Sequence, residues 1–185
     1  MTQTEHVCIQ QTQQWIQSFI ITLNLCPFAR REMDKGSVRI QVSSAITNEK
    51  ALEDLETEIE LLNTNANIET TFLLFPMFLQ DFFDYLDFSY LVEANLLTQG
   101  YEGIYQLATF HPNYCFADAN VDDVTNYTNR SPYPMLHILR EESIEKAISY
   151  FGNTGTIPEN NMARLRRMGT EEVEKMVQEC LTVEA

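Results

Sequence analysis

Six residues, TTFLLF at positions 70–75, constrain the fold more than any other feature of this chain. The run is short, continuous and apolar, so both of its alternating faces must be buried. Pro76 closes it. A strand of this kind lies inside a sheet with helices on its faces, and the flanking sequence supplies them. Residues 48–64 place Leu52, Leu55, Ile59 and Leu62 on one helical stripe, with glutamates outside it. Residues 80–99 read as an aromatic-rich helix ending at Gly100. SVRIQV at 37–42 and GIYQLATF at 103–110 read as two further strands. Strands alternating with helices predict an α/β fold with parallel strands. The expected architecture is a single domain, 1–185, with a small, mostly parallel sheet in which 70–75 is central.

The remaining segments read as helices. Trp15, Ile16, Phe19, Ile20 and Leu23 recur at helical spacing over 8–24, and Cys26-Pro27 ends that pattern. Residues 132–151 look like a helix capped by Ser131, with Pro132 in the first position. Ile157-Pro158 opens a short helix carrying Arg164, Arg166 and Arg167, and Thr170 caps an acidic-started last one.

Charge limits the partners. Twelve Lys and Arg stand against 27 Asp and Glu, a net charge of −15. Nucleic acid and anionic membranes need cationic surface, so neither is an expected partner. The N-terminus lacks a basic region followed by an apolar run, and no stretch reaches the roughly 18 apolar residues of a membrane span. The expected location is the cytoplasm. Cys8, Cys26, Cys115 and Cys180 are dispersed and form no CxxC pair. No glycine-rich phosphate loop occurs, and no cofactor is expected.

The candidate chemistry lies in three segments. The first is NYTNRSPYPMLHILRE, 126–141. From Ala51 to Asn129 there are 14 Asp and Glu but no Lys or Arg, so Arg130 is the first cation after a long acidic stretch. A guanidinium beside a helix N-terminus grips anions, with Asn129 and Ser131 as neighbouring donors. On a helix over 132–151, His137 and Glu141 share a face, with Arg140 beside them. That inner face would need its ionisable groups paired or lining a cleft. Glu141 is expected to pair with Arg130 or Arg140. The second segment is FHPNYCF, 110–116, which puts His111 beyond the end of a strand, where ligands bind in open parallel sheets. The third is LNLCPFA, 23–29, where Cys26 becomes a nucleophile if a cation lies near it. The competing readings are structural: a buried thiol at 26, a turn histidine at 111, a hydrogen-bonded core histidine at 137.

These three segments, in this order, together with TTFLLFP at 70–76 and DFFDYLDF at 81–88, resemble the bacterial family called domain of unknown function 1415. The resemblance covers nearly the whole chain and implies a cytosolic protein of one domain. It implies no mechanism. Cys115 departs from the polar residue expected there, which argues against a catalytic role for it.

The favoured reading is an enzyme, a hydrolase or group transferase, acting on a small anionic metabolite. His111 and His137 would be acid and base, Cys26 a nucleophile, and Asn129, Arg130, Ser131, Arg140 and Glu141 the substrate grip. One alternative is a non-catalytic module binding a metabolite or protein through the same cleft. Another is a metal-dependent enzyme using His111, His137 and Glu141, with Asp118, Asp122 or Asp123 completing the site. No metal is expected, because Arg140 would repel it.

Overall fold

A computed structural model describes residues 2–151 and 154–182. The chain begins with helix α1 (Gln3–Trp15), started by a capping box in which Thr2 and Glu5 satisfy each other's amides. A π-helical stretch, Ile16–Ile21, continues it. Helix α2 (Ala29–Lys35) ends at Gly36, whose left-handed φ of 67° suits a residue without Cβ. Then follow β1 (Val38–Val42), α3 (Asn48–Thr64), β2 (Thr70–Leu74), α4 (Phe82–Thr98) and β3 (Tyr105–Phe110). A long loop carries a 3-10 turn, Val124–Thr128. It leads to β4 (Met135–Arg140), α5 (Glu141–Phe151), α6 (Ile157–Met168) and α7 (Thr170–Cys180).

The sheet has the order β1-β2-β4-β3. β1 and β2 are parallel, whereas β4 runs antiparallel to both β2 and β3. The sheet is therefore mixed, which corrects the mostly parallel expectation. The cause is β4 itself. The segment expected to open a helix over 132–151 is a strand as far as Arg140, and helical only from Glu141. Pro134 restricts Tyr133 to extended backbone, against a helix starting at Ser131. Met135 to Leu139 then fit the gap between β2 and β3, where His137 lies opposite Phe72 and Ala108.

β2 is an inner strand, as its composition requires, and all five of its residues are buried. Its faces split between two cores. Phe72 and Leu74 meet Trp15, Ile16, Phe19, Leu165, Val173 and Val177 on one side. Leu73 and Phe75 meet Leu55, Ile59, Leu62, Tyr85, Phe88 and Val92 on the other. Helices thus cover both faces of the sheet. The ends of β1, β2 and β3 and the start of β4 share one edge, since Val42 pairs with Leu74, and Leu74 and Phe110 both pair with Met135. The buried Tyr85 hydroxyl braces that edge, donating to Met135 O at 2.8 Å and accepting from Phe110 N at 2.9 Å. The loop from His111 to Pro134 hangs from it.

Candidate functional site

The loop off this edge is organised by Asn126, which is fully buried. Its Oδ1 accepts from Phe116 N at 3.0 Å, and its Nδ2 donates to Asn120 O at 2.8 Å and Val121 O at 3.3 Å. Asp123 caps the 3-10 turn by accepting from Thr125 N, which holds its carboxyl below the usual carboxylate range. Arg130 closes the structure. Its Nε donates to Tyr114 O at 3.1 Å and its Nη2 to Val121 O at 2.7 Å. The guanidinium carbon lies 4.7 Å from the centre of the Tyr127 ring, a cation–π contact.

Arg130 thus fastens the 114–121 stretch to the 3-10 turn, and among the described residues it forms no ion pair. Among the described residues, the arginines within 4 Å of a carboxylate are Arg31, Arg39 and Arg166. Nothing among them accepts a hydrogen bond from Arg130 Nη1. A guanidinium has five N–H donors, so this half-buried side chain keeps a free edge.

The 23–29 segment reaches the same assembly through α6. Asn161 Nδ2 donates to Leu25 O at 2.7 Å, and Arg164 Nη1 to Leu23 O at 2.6 Å. Arg166 lies 3.9 Å from Asp123. Leu23, Leu25, Val124, Tyr127 and Leu165 belong to one core, with Cys26 packed against it. The 23–29 segment and the 124–128 turn are therefore joined through α6 and this shared core.

The reactive side chains of the three sequence segments do not meet. His111 is fully buried and turned toward α4, with Phe82 and Tyr85 rings 5.3 and 5.1 Å away. Its Nδ1 accepts from Asn113 N at 2.9 Å, which leaves the proton on Nε2 to donate to Leu79 O at 3.0 Å. Leu79 has a φ of 59°, a strained conformation for leucine. His111 holds that strained turn, with both ring nitrogens used, and burial pushes its pKa down. The turn position expected for it is a core position. Cys26 is half-buried, and burial pushes its thiol up despite opposing backbone amides of Phe28 and Ala29. It is held as a thiol, not a thiolate.

Asn129 donates from Nδ2 to Thr109 O at 3.0 Å, while its own carbonyl accepts from His111 N. Ser131 is buried and donates to Tyr133 O at 2.7 Å; it caps no helix. Arg140 lies off the other end of β4. It donates to Leu62 O and Ile68 O, carbonyls at the end of α3 and in the following loop. Arg130 and Arg140 therefore do not line one cleft. Glu141 starts α5, donating its amide to Ile104 O at 3.0 Å. Among the described residues it forms no ion pair with Arg130 or Arg140, contrary to expectation: Arg140 is turned onto the Leu62 and Ile68 carbonyls, and Arg130 lies in the loop beyond the far end of β4. No three His, Cys, Asp or Glu side chains among the described residues are grouped as metal ligands, so His111, His137 and Glu141 do not make a common site.

His137 occupies the middle of β4, stacked on Phe72 with 3.7 Å between ring centres. The buried Thr70 hydroxyl donates to Ile138 O at 2.6 Å, so His137 Nε2 must donate to Thr70 Oγ1, also at 2.6 Å. That fixes the tautomer and leaves Nδ1 as the acceptor. Loss of solvent pushes the pKa from 6.5 down to about 3. This has a measurable consequence. The unfolded chain protonates this histidine near pH 6.5, the folded chain only near pH 3. Between those values the unfolded state binds more protons, so stability falls as pH drops. From pH 6.5 downward the slope carries His137 and, in the same direction, His111, and toward pH 5 the carboxylates held low at Glu32, Glu49, Asp123 and Glu142 add to it, so the His137 share is the difference between wild type and variant. Urea unfolding at pH 7.5, 6 and 5 should show this loss, and His137→Phe should flatten it. An unchanged slope in the variant would contradict a His137 that stays neutral in the fold.

Sequence reasoning missed Asn126 and Thr70 as organising residues. Asn126 lay inside the 126–141 block, and its burial was the missing information.

The fold is a mixed α/β sheet whose edge loop fixes Arg130 on main-chain carbonyls, with no carboxylate within 4 Å of it among the described residues. The chain belongs to the family described as protein of unknown function DUF1415, whose model matches residues 7–175. Comparison with curated proteins and with solved structures gives no match. No helix among the described residues is long and apolar enough to cross a membrane.

Proposed function

We propose that this protein binds a small anionic metabolite, a phosphate or carboxylate compound, at the loop off the β1–β2–β3 edge. The supporting observation is Arg130: two carbonyls and the Tyr127 ring fix it, no carboxylate lies within 4 Å among the described residues, and Nη1 is unclaimed. A fixed guanidinium pays little entropy on binding and matches the planar or tetrahedral oxygens of such anions. The net charge of −15 favours a small anion here over a polyanion.

Binding without chemistry is the reading we favour, because His111 has both nitrogens engaged and Cys26 is held as a thiol. One observation favours the enzymatic alternative, a hydrolase or group transferase. His137 is half-buried, is oriented by Thr70, and has no hydrogen-bond partner at Nδ1 among the described residues. It would accept a proton there, although a weakly basic ring makes a poor general base.

Thermal denaturation with inorganic phosphate, sulfate and small di- and tricarboxylates tests the proposal. An anion at 100 times its Kd should stabilise the protein by about 2.7 kcal/mol. Arg130→Ala should abolish that shift and Arg130→Lys should retain part of it. Equal protection of wild type and Arg130→Ala would show that Arg130 only braces the loop.

A further inference from the structure

Helix α4 is apolar on two opposite sides. Tyr85, Phe88, Val92 and Leu96 are buried in the core beneath it. At 100° per residue, Phe83, Leu86, Tyr90, Ala94 and Leu97 fall within about 40° of a line on the other side. Phe83, Tyr90 and Leu97 are 74%, 63% and 58% exposed. The stripe runs for about 21 Å at 1.5 Å per residue. A contiguous exposed apolar patch marks an interaction surface.

The charges around the stripe select its occupant. Asp87 and Glu93 project about 60° to either side of it, by the same helical geometry. α4 has Asp84, Asp87 and Glu93 and no cation. Gln99, just past the end of α4, donates to Glu56 of α3 at 2.7 Å, and Glu53, Glu56 and Glu60 are exposed along α3. No Lys or Arg occurs anywhere from residue 51 to 129. A second copy of this chain would set Asp87 and Glu93 against their own equivalents across a two-fold axis, which repels. Nucleic acid and anionic lipid are rejected for the same reason. An amphipathic helix with an apolar stripe flanked by Lys and Arg satisfies both the stripe and its rim.

We propose that α4 docks a basic amphipathic helix of a partner protein along Phe83, Tyr90 and Leu97. The probes are two labelled synthetic 18-residue helical peptides with the same leucine stripe, one flanked by lysines and the other by glutamates. Their binding to the full chain is followed by fluorescence anisotropy. The lysine peptide should bind and the glutamate peptide should not. Tyr90→Ser with Leu97→Ser, both exposed positions, should weaken binding at least tenfold while leaving the melting temperature near wild type. Asp87→Lys with Glu93→Lys should reverse the preference between the peptides, which does not depend on how the serine variant folds. Failure of the lysine peptide to bind, equal binding of both peptides, or full binding by the serine variant would overturn the proposal. So would a wild-type dimer in sedimentation that the serine variant converts to monomer, since a second copy would then be the occupant.

Discussion

Replacing Leu73 with Asp should prevent folding. Leu73 is fully buried in β2, opposite Gln41 of β1 and Leu136 of β4, and its side chain enters the core built with α3 and α4. Aspartate there would either ionise without a partner or be protonated at a cost, and would also forfeit the packing of the leucine. Together these exceed about 5 kcal/mol, which is comparable to the whole stability of a domain of this size. The expected result is insoluble or uncooperatively melting protein, while Leu73→Ile folds with a modest loss. A soluble Leu73→Asp protein with a sharp unfolding transition would show that β2 does not lie where the sheet places it.

Asn126→Ala should be the most damaging change within the loop. It removes the partner of Phe116 N, Asn120 O and Val121 O at once, in a position with no access to water. A buried polar group left unpaired costs about 1–3 kcal/mol, and the vacated volume adds to it, so a loss on the order of 3 kcal/mol is expected. The functional consequence is larger than that of a distant mutation of equal cost. Val121 O is also the acceptor for Arg130 Nη2, so freeing the 116–121 stretch releases the guanidinium. Chemical denaturation should show the stability loss, and any anion protection seen in wild type should weaken with it. Wild-type stability in Asn126→Ala would mean that the loop does not depend on this amide.

Much of the fold could be read from the sequence where local pattern and tertiary demand agree. The apolar run at 70–75 is the inner strand, the stripe of Leu55, Ile59 and Leu62 is the buried face of α3, and the aromatic-rich segment expected over 80–99 is helix α4. The failure at 132–140 is equally specific. Ser131-Pro132 imitates a helix start, and His137 with Glu141 imitates a helical face. Yet Met135, His137 and Leu139 alternate with Leu136, Ile138 and Arg140 as a strand requires. The competition was decided by pairing with β2 and β3, strands distant in sequence. The candidate site was legible as a set of segments but not as a set of side chains. Most of the groups that accept hydrogen bonds from His111, Arg130 and Arg140 are main-chain carbonyls, of Leu79, Tyr114, Val121, Leu62 and Ile68, which every residue has and no sequence pattern marks.

The central claim is that Arg130 is a preformed anion grip with one free edge. Arginine side-chain NMR, recorded on 15N-labelled protein during a phosphate titration, tests it at the atoms concerned. The account predicts that Arg130 Nη1 protons shift with saturation. Its Nε proton, bonded to Tyr114 O, should move little. The exposed Arg166 should respond weakly and without saturation. An Arg130 signal that stays still throughout, or that moves only as much as Arg166, would contradict the claim and leave Arg130 as a brace of the loop.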